Sequence, residues 1–308
     1  MKKFVIKTIL FFIFSLICLG ILEYSARSVP NPYKYKQNYM DEKTNTDSLQ
    51  VLILGNSHNY YGINPQWMKK KAFNLANTSQ TIFYDEIFLH RYVNKCPNLK
   101  YVVCEIAYFS PYEKRYGDKS EWYRIMYYQI YMNCRFHSFF SKYNWELAYN
   151  RFSREKIKIA WHLKHKKLDC NEYGFGLNHS IEYRKAYNDS ADAKNRVDVN
   201  TFQPNEYDYV LATNTLLSMA KICKDNNAKM LLITTPVTPL FYYFTNKQQL
   251  NTMYNMANEV MKQYPQTVIF KDFMRDDRFN EKDFYDADHL NKEFGAKKFT
   301  KIIENCVE

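Results

Sequence analysis

Five short apolar segments, separated by longer amphipathic ones, constrain the fold of this chain more than any other feature of its sequence. Short runs rich in branched aliphatic residues are typical of strands that are buried in a parallel sheet. Because helix-like segments lie between them, we expect the strands to be joined by right-handed crossovers. The predicted strands are residues 51–54, 72–76, 99–106, 229–235 and 267–270.

Helices are predicted over residues 81–94, 204–225, 250–264 and 293–305, where the apolar residues recur with the period of an α-helix. We therefore predict an α/β fold, a flavodoxin-like three-layer α/β/α sandwich around a central parallel sheet. One domain is expected over residues 49–308, because about 260 residues suit a single α/β domain that carries an insertion. The insertion, at about residues 112–203, is predicted to be mostly helical and to form a cap beside the active site.

The predicted insertion contains one pair of residues with the spacing of metal ligands. His162 and His165 lie three residues apart in the basic segment 157–167. Two histidines at this spacing could bind a metal from one face of a helix. No nearby acid or cysteine completes the site, so a solvated basic face is the favoured interpretation. Residues 122–132, crowded with Tyr, Ile and Met, are predicted to form a packed helix.

The amino terminus combines positive charge with an apolar run of membrane-spanning length. After Lys2 and Lys3, residues 4–22 form an apolar run that only Lys7, Thr8 and Ser15 interrupt. A helix of this length spans about 28 Å, close to the roughly 30 Å hydrocarbon core of a bilayer. The lysines place the amino terminus in the cytoplasm and the rest of the chain on the opposite side.

We predict an uncleaved membrane anchor over residues 1–22, followed by a polar linker over residues 23–48. The alternative is a cleaved signal peptide. Residues 24–26, Tyr-Ser-Ala, form a poor cleavage site because signal peptidases prefer small residues at such positions. In both cases the folded domain is exported.

Charge and cysteine content exclude several classes of function. The net charge is +11, but the basic residues are dispersed among acids and no recognised nucleic-acid motif is present, so no nucleic-acid partner is expected. For an exported basic chain, an anionic envelope surface or membrane face fits better as a partner than nucleic acid does, but a solvated lysine-rich surface is the favoured interpretation. The seven cysteines match no zinc or redox spacing, and their pairing is not determined by the sequence.

Two polar segments carry residue types that can perform chemistry together. Ser57 follows the first predicted strand after Gly55, and ligands of open α/β sheets bind at the carboxyl ends of the strands. Near the other end of the chain, Asp286 precedes His289 by three residues. A carboxylate can orient an imidazole, and the imidazole can deprotonate a serine hydroxyl.

These segments resemble a known family. Gly55-Asn56-Ser57-His58 resembles the first block of the SGNH/GDSL hydrolases, and Asp286-x-x-His289 resembles their last block. The resemblance covers about residues 49–305 and implies that Ser57 is the nucleophile, His289 the general base and then acid, and Asp286 the residue that orients His289.

Two neighbouring residues leave alternatives open. Asp288 is the competing acid for His289, although its position next to the histidine is expected to point it elsewhere. His58 is interpreted as a substrate-facing or a structural residue.

The oxyanion hole departs from the family pattern at two positions. The resemblance implies backbone N–H donors at Ser57 and Ser79, but many relatives have glycine where this chain has Ser79. Relatives usually have asparagine after the third strand, whereas residues 107–111 contain none. Tyr108 and Ser110 are the candidate replacements, with a packing role as the favoured alternative.

The resemblance implies ester hydrolysis if water accepts the acyl group, or O-acyl transfer if a sugar hydroxyl does. Membrane-anchored bacterial relatives suggest acetyl esters of a cell-envelope polysaccharide, a single-pass inner-membrane location with the domain on the periplasmic or extracellular side, and a membrane-bound O-acyltransferase as partner. No cofactor and no metal are expected. The alternatives are a non-catalytic glycan-binding or assembly protein on a degenerate SGNH fold, and a metal-dependent hydrolase that uses Asp286, Asp288 and His289.

Overall fold

The computed structural model describes residues 1–116, 122–137, 141–148, 158, 161, 166–184 and 189–307. The chain forms two compact units. One consists of Met1–Gln37 with Lys119–Leu168, and the other of Asn38–Asp118 with Asp169–Glu308. The predicted insertion at 112–203 is therefore divided between the two units, and His162 and His165 lie outside the described residues.

The larger unit contains a five-stranded parallel sheet in the order β2-β1-β3-β4-β5. Its strands are β1 (Val51–Ile53), β2 (Ala72–Asn74), β3 (Tyr101–Glu105), β4 (Lys229–Ile233) and β5 (Val268–Lys271). This is the flavodoxin-like order, in which β1 and β3 flank the point where the strand order reverses. The predicted parallel sheet and its fold class are confirmed. Each of the five predicted strands is present; the first four are shorter than predicted by one to three residues, and the fifth is displaced by one residue.

The described helices are α1 (Lys2–Arg27), α2 (Pro32–Asp41), α3 (Lys43–Ser48), α4 (Ser57–Gly62), α5 (Ile82–Tyr92), α6 (Trp122–Tyr131), α7 (Ser190–Val199), α8 (Glu206–Asp225), α9 (Pro239–Phe244), α10 (Lys247–Gln263) and α11 (Gly295–Cys306). Short 3-10 turns occupy Pro65–Trp67, Val93–Lys95, Ser110–Tyr112, Lys142–Asn144, Glu146–Ala148, Ile181–Tyr183 and Glu281–Asp283. In the larger unit, helices flank the sheet.

The core of the larger unit forms where alternate residues of the strands meet the last helix. Val51 and Ile53 of β1 are fully buried in one apolar cluster with Phe299 and Ile303 of α11. Because successive side chains of a strand point to opposite faces, this cluster belongs to one face of the sheet. The packing fixes β1, and with it the residues that follow β1.

Residues 23–48, predicted as a polar linker, contain the last turns of α1 and the helices α2 and α3. Met40 and Leu49 are fully buried in the larger unit. The segment is too polar to show a helical pattern, so its helices depend on tertiary packing that the sequence does not display.

The smaller unit contains α1, which is long and apolar enough to cross a membrane; the apolar window of this helix is not buried in the protein. A signal sequence would have the same properties. Beyond the apolar run, Glu23 accepts hydrogen bonds from the backbone N–H groups of Glu146 and Leu147, each at 3.0 Å. The carboxyl end of α1 therefore packs against polar chain of the same unit.

Candidate active site

Ser57 is positioned by a turn that the local sequence builds. Gly55 has a φ of +123°, a backbone conformation that residues with a side chain rarely adopt. A Cβ on Gly55 would also lie 2.9 Å from Nδ2 of Asn59 and 3.2 Å from Cβ of Glu105. Asn56 then caps α4, its side chain accepting a 2.8 Å hydrogen bond from the backbone N–H of His58. Ser57 is consequently the first residue of α4, at the carboxyl edge of the sheet.

His289 is positioned by a loop that one carboxylate holds together. Oδ1 of Asp286 accepts hydrogen bonds from the backbone N–H groups of Asp288, at 3.1 Å, and His289, at 2.8 Å. The backbone N–H of Tyr285 donates to the carbonyl oxygen of His289 at 2.8 Å. These contacts orient both Asp286 and the imidazole before any substrate binds.

Ser57, His289 and Asp286 lie in one hydrogen-bonded series. Nε2 of His289 is 2.8 Å from Oγ of Ser57, and Nδ1 is 2.9 Å from Oδ1 of Asp286. Burial lowers the pKa of His289, but the charges and hydrogen bonds of Asp286 and Asp288 outweigh it, so the pKa lies above its usual value. The structure thus brings together the three residues that the sequence predicted, in a geometry suited to proton transfer.

Asp288 also faces His289, contrary to the expectation that it would point elsewhere. Its Oδ1 lies 3.2 Å from Nδ1 of His289. Nε of Arg196 donates to the same oxygen at 2.8 Å, and Nε2 of His58 lies 3.2 Å from Oδ2. Burial would raise the pKa of Asp288, but these positive partners hold it well below the usual value. Asp288 is therefore ionised and buried.

His58 lies between two carboxylates. Its Nδ1 is 2.5 Å from Oε1 of Glu105, which also accepts a 3.3 Å hydrogen bond from the hydroxyl of Thr235. Burial lowers the pKa of His58, but Glu105 and Asp288 together raise it to about 10. Of the two interpretations that the sequence left open, the structural one fits this buried imidazolium.

Sequence reasoning missed Glu105 and Arg196. Glu105 had a detectable signal, since it is a charged residue at the carboxyl end of the otherwise apolar strand β3. Arg196 lies on α7 in a polar stretch with no motif, and only the folded chain brings it to Asp288.

The loop after β2 contains the proposed backbone donor Ser79. Ser79 has a φ of +51°, in the left-handed region that glycine adopts at little cost. The loop is tied to the turn at Gly55, because Oδ1 of Asp85 accepts hydrogen bonds from the Gly55 N–H at 3.0 Å and from Nε2 of Gln80 at 2.7 Å. Burial is the main reason that the pKa of Asp85 rises to about 7.

Tyr108 and Ser110, the candidate replacements for the asparagine donor, stabilise their own surroundings. The Tyr108 hydroxyl lies 2.8 Å from Oγ1 of Thr201 and accepts a 2.9 Å hydrogen bond from the Asn246 N–H. Oγ of Ser110 accepts a hydrogen bond from the Ala107 N–H at 2.9 Å. These contacts favour the packing role.

An aromatic stack lies beside His289. The ring of His179 stacks on Tyr61, with centroids 3.6 Å apart, and on Tyr285, at 4.1 Å. Its edge meets His289 at a centroid distance of 4.8 Å and an interplanar angle of 80°. Burial and the neighbouring charges lower the pKa of His179 to about 2, so this imidazole is neutral.

One cluster in the site has the composition of a metal centre. Ligand atoms of His58, Asp288 and His289 lie within 4.8 Å of one another. However, both ring nitrogens of His58 already pair with carboxylates, those of Glu105 and Asp288, and the guanidinium of Arg196 occupies Oδ1 of Asp288. The donor set therefore fits a charge network better than a cation.

No protein-family model and no curated protein matches the chain. Among solved structures, it is similar to a candidate platelet activating factor from Streptococcus pneumoniae, with 12% identity, a TM-score of 0.43, and coverage of 89% of this chain and 92% of that one. It is also similar to a candidate acylhydrolase from Bacteroides fragilis, with 14% identity, a TM-score of 0.42, and coverage of 88% and 94%. Similarity at this level says nothing about activity.

Proposed function

We propose that this chain is a serine esterase or O-acyltransferase of the SGNH/GDSL type. The observation that carries the proposal is the hydrogen-bonded series from Ser57 Oγ through His289 to Asp286. A serine, an imidazole and a carboxylate in this order are the parts of a nucleophilic acyl-transfer site.

The proposed reaction begins when Nε2 of His289 accepts the Ser57 proton as Oγ attacks the acyl carbon. Asp286 accepts the hydrogen bond from Nδ1–H and stabilises the imidazolium that forms. His289 then protonates the leaving alcohol, which departs and leaves an acyl-serine. Water, or a sugar hydroxyl, loses its proton to His289 and attacks the acyl carbon; the bond to Ser57 Oγ breaks, and His289 returns the proton to Oγ. General acid–base catalysis of this kind contributes about 10²–10⁴-fold.

In this mechanism the backbone N–H groups of Ser57 and Ser79 stabilise the oxyanion. Support comes from their positions, since Ser57 begins α4 and Ser79 lies in the adjoining loop that Asp85 ties to Gly55. Backbone donors that are fixed before the reaction require no reorganisation when charge develops.

The finer assignment is an acetyl ester of a cell-envelope polysaccharide, with a membrane-bound O-acyltransferase as donor partner if the reaction is a transfer. Its support is the resemblance to membrane-anchored bacterial relatives and the membrane-spanning length of α1. We propose a single-pass inner-membrane protein whose catalytic unit lies on the periplasmic or extracellular side.

The test is Ser57→Ala in the full-length protein, purified in detergent. Labelling by a fluorophosphonate probe and turnover of p-nitrophenyl acetate are both expected to disappear, because no other serine is placed at His289 Nε2 in the described structure. Ser48→Ala is the matched control, since Ser48 is an exposed serine at the end of α3. Full activity of S57A would contradict the proposal.

A wild-type protein that folds but is not labelled would instead favour a glycan-binding or assembly protein. The observation behind this alternative is that Tyr108 and Ser110 are engaged in other contacts and supply no third oxyanion donor. Binding of acetylated and deacetylated envelope polysaccharide to the full chain would then be compared directly.

A further inference from the structure

Asp288 is clamped by two cations, one at each of its oxygens. Nε and Nη2 of Arg196 lie 2.8 and 2.7 Å from Oδ1, and Nε2 of His58 lies 3.2 Å from Oδ2. The side chain of Asp288 is 1% exposed. A buried carboxylate is stable in its charged form only with such partners, so these two groups, together with His289, favour ionised Asp288.

The clamp aims Asp288 at the imidazole that the proposed mechanism uses. With its oxygens held, Oδ1 lies 3.2 Å from Nδ1 of His289, only slightly farther than the 2.9 Å from Asp286. Nη2 of Arg196 is itself 2.9 Å from Nδ1 of His289. The negative charges of Asp288, 2.7 Å from Nη2, and of Asp286, 3.8 Å from it, both offset the guanidinium beside a protonated imidazole.

His58 is held in turn from the sheet. Four charged or titratable groups surround it, from three elements. They are Glu105 at the end of β3, Asp288 and His289 in the loop before α11, and Arg196 of α7 across Asp288. Oε1 of Glu105 lies 2.5 Å from Nδ1 of His58 and fixes the ring so that Nε2 faces Asp288.

We propose that His58 and Arg196 are positioning residues that hold Asp288 as a second acid for His289, beside Asp286. The inference rests on the proposed function of Ser57 and His289. It explains why a histidine directly follows the proposed nucleophile although its ring nitrogens pair with Glu105 and Asp288 rather than with Ser57. The site then has a reserve carboxylate for Nδ1–H.

The main test compares Asp286→Asn, Asp288→Asn and the double variant by the rate of fluorophosphonate labelling. D286N is expected to lose about 10–100-fold and the double variant at least about 10-fold more, because Asp288 still presents a negatively charged acceptor to Nδ1–H when residue 286 is a neutral amide. D288N alone is expected to shift the acid limb of the pH–rate profile to lower pH. The negative charge of Asp288 favours protonated His289, so its removal lowers the pKa of His289.

The positioning role is tested by adding His58→Gln to wild type and to D286N. The loss caused by H58Q is expected to be larger in D286N, where His289 depends on Asp288 alone; such non-additivity is the signature of coupled residues. His90→Gln, an exposed histidine on α5, is the matched control. If H58Q does not fold, Glu105→Gln and Arg196→Gln test the same clamp from its two sides.

Two outcomes overturn the inference. Equal losses from H58Q in both backgrounds, or D286N as inactive as the double variant, would show that Asp288 does not serve His289. In either case inactive S57A would leave the proposed function intact, whereas active S57A would remove that function itself.

Discussion

At the scale of the residue, Ser79 is a serine in a backbone conformation that usually belongs to glycine. Glycine would adopt a φ of +51° freely, whereas a serine in this conformation costs about 1 kcal/mol or more. Keeping the conformation preserves the direction of the backbone N–H. The side chain is therefore expected to be dispensable for the proposed oxyanion role.

We expect Ser79→Gly and Ser79→Ala to keep the kcat of wild type towards p-nitrophenyl acetate within a few-fold, because the proposed donor is the backbone N–H. S79G should also raise the thermal unfolding midpoint by relieving the left-handed strain, an effect of about 1 kcal/mol. Steady-state kinetics and thermal unfolding of the full chain in detergent are the measurements. A large loss of kcat in S79A would show that the hydroxyl itself takes part.

At the scale of the element, the edge of the sheet next to the site is covered by a turn. Strand β2 is an edge strand, and its Asn74 N–H donates to the carbonyl oxygen of Tyr173 at 2.9 Å. Oδ1 of Asn171 accepts hydrogen bonds from the N–H groups of Tyr173 and Phe175, each at 3.0 Å, and so shapes the turn. Covering an edge in this way prevents pairing with another chain.

Gly174→Ala is expected to destabilise this element by about 1–3 kcal/mol. Gly174 has a φ of +80°, and an added Cβ would overlap with the carbonyl oxygen of Asn74. Gly62→Ala is the control, since its Cβ would meet only side-chain atoms at 3.6 and 3.8 Å. Thermal unfolding is the measurement, and equal midpoints for the two variants would contradict the expectation.

At the scale of the whole molecule, the amino-terminal helix combines an apolar run with a polar end that contacts the rest of its unit. Its apolar run has the length of a membrane span, while Glu23 and Arg27 bind backbone groups of residues 144–147 within the same unit. Removal of residues 1–26 by a signal peptidase would delete Glu23 and break its hydrogen bonds to Glu146 and Leu147. These contacts favour retention of the helix.

We expect the protein extracted from bacterial membranes to have the intact mass that includes residues 1–26, measured by mass spectrometry. Tyr24→Ala is the control, because it changes residues 24–26 to Ala-Ser-Ala, a better site for signal peptidase. The side chain of Tyr24 is 75% exposed. A wild-type mass that corresponds to a chain starting at Arg27 would contradict the retained anchor.

The sequence alone was sufficient for the features that short-range pattern encodes. Apolar runs predicted the five strands, and helical periodicity predicted α5, α8, α10 and α11 to within a few residues. The turn at Gly55 and Ser57 and the spacing of Asp286 and His289 are equally local, because each group lies within a few residues of its partner. A buried strand or a turn leaves its mark in neighbouring residues.

The tertiary structure alone decided the features that depend on distant contacts. Glu105 and His58 are 47 residues apart, Arg196 and Asp288 are 92 apart, and His58 and Asp288 are 230 apart. Such pairs leave no periodic signal, and their charges are stable in the interior only because folding brings the opposite charge to each one. The sequence could therefore name Ser57, His289 and Asp286 as the proposed nucleophile, base and acid, while only the fold placed the charges around them.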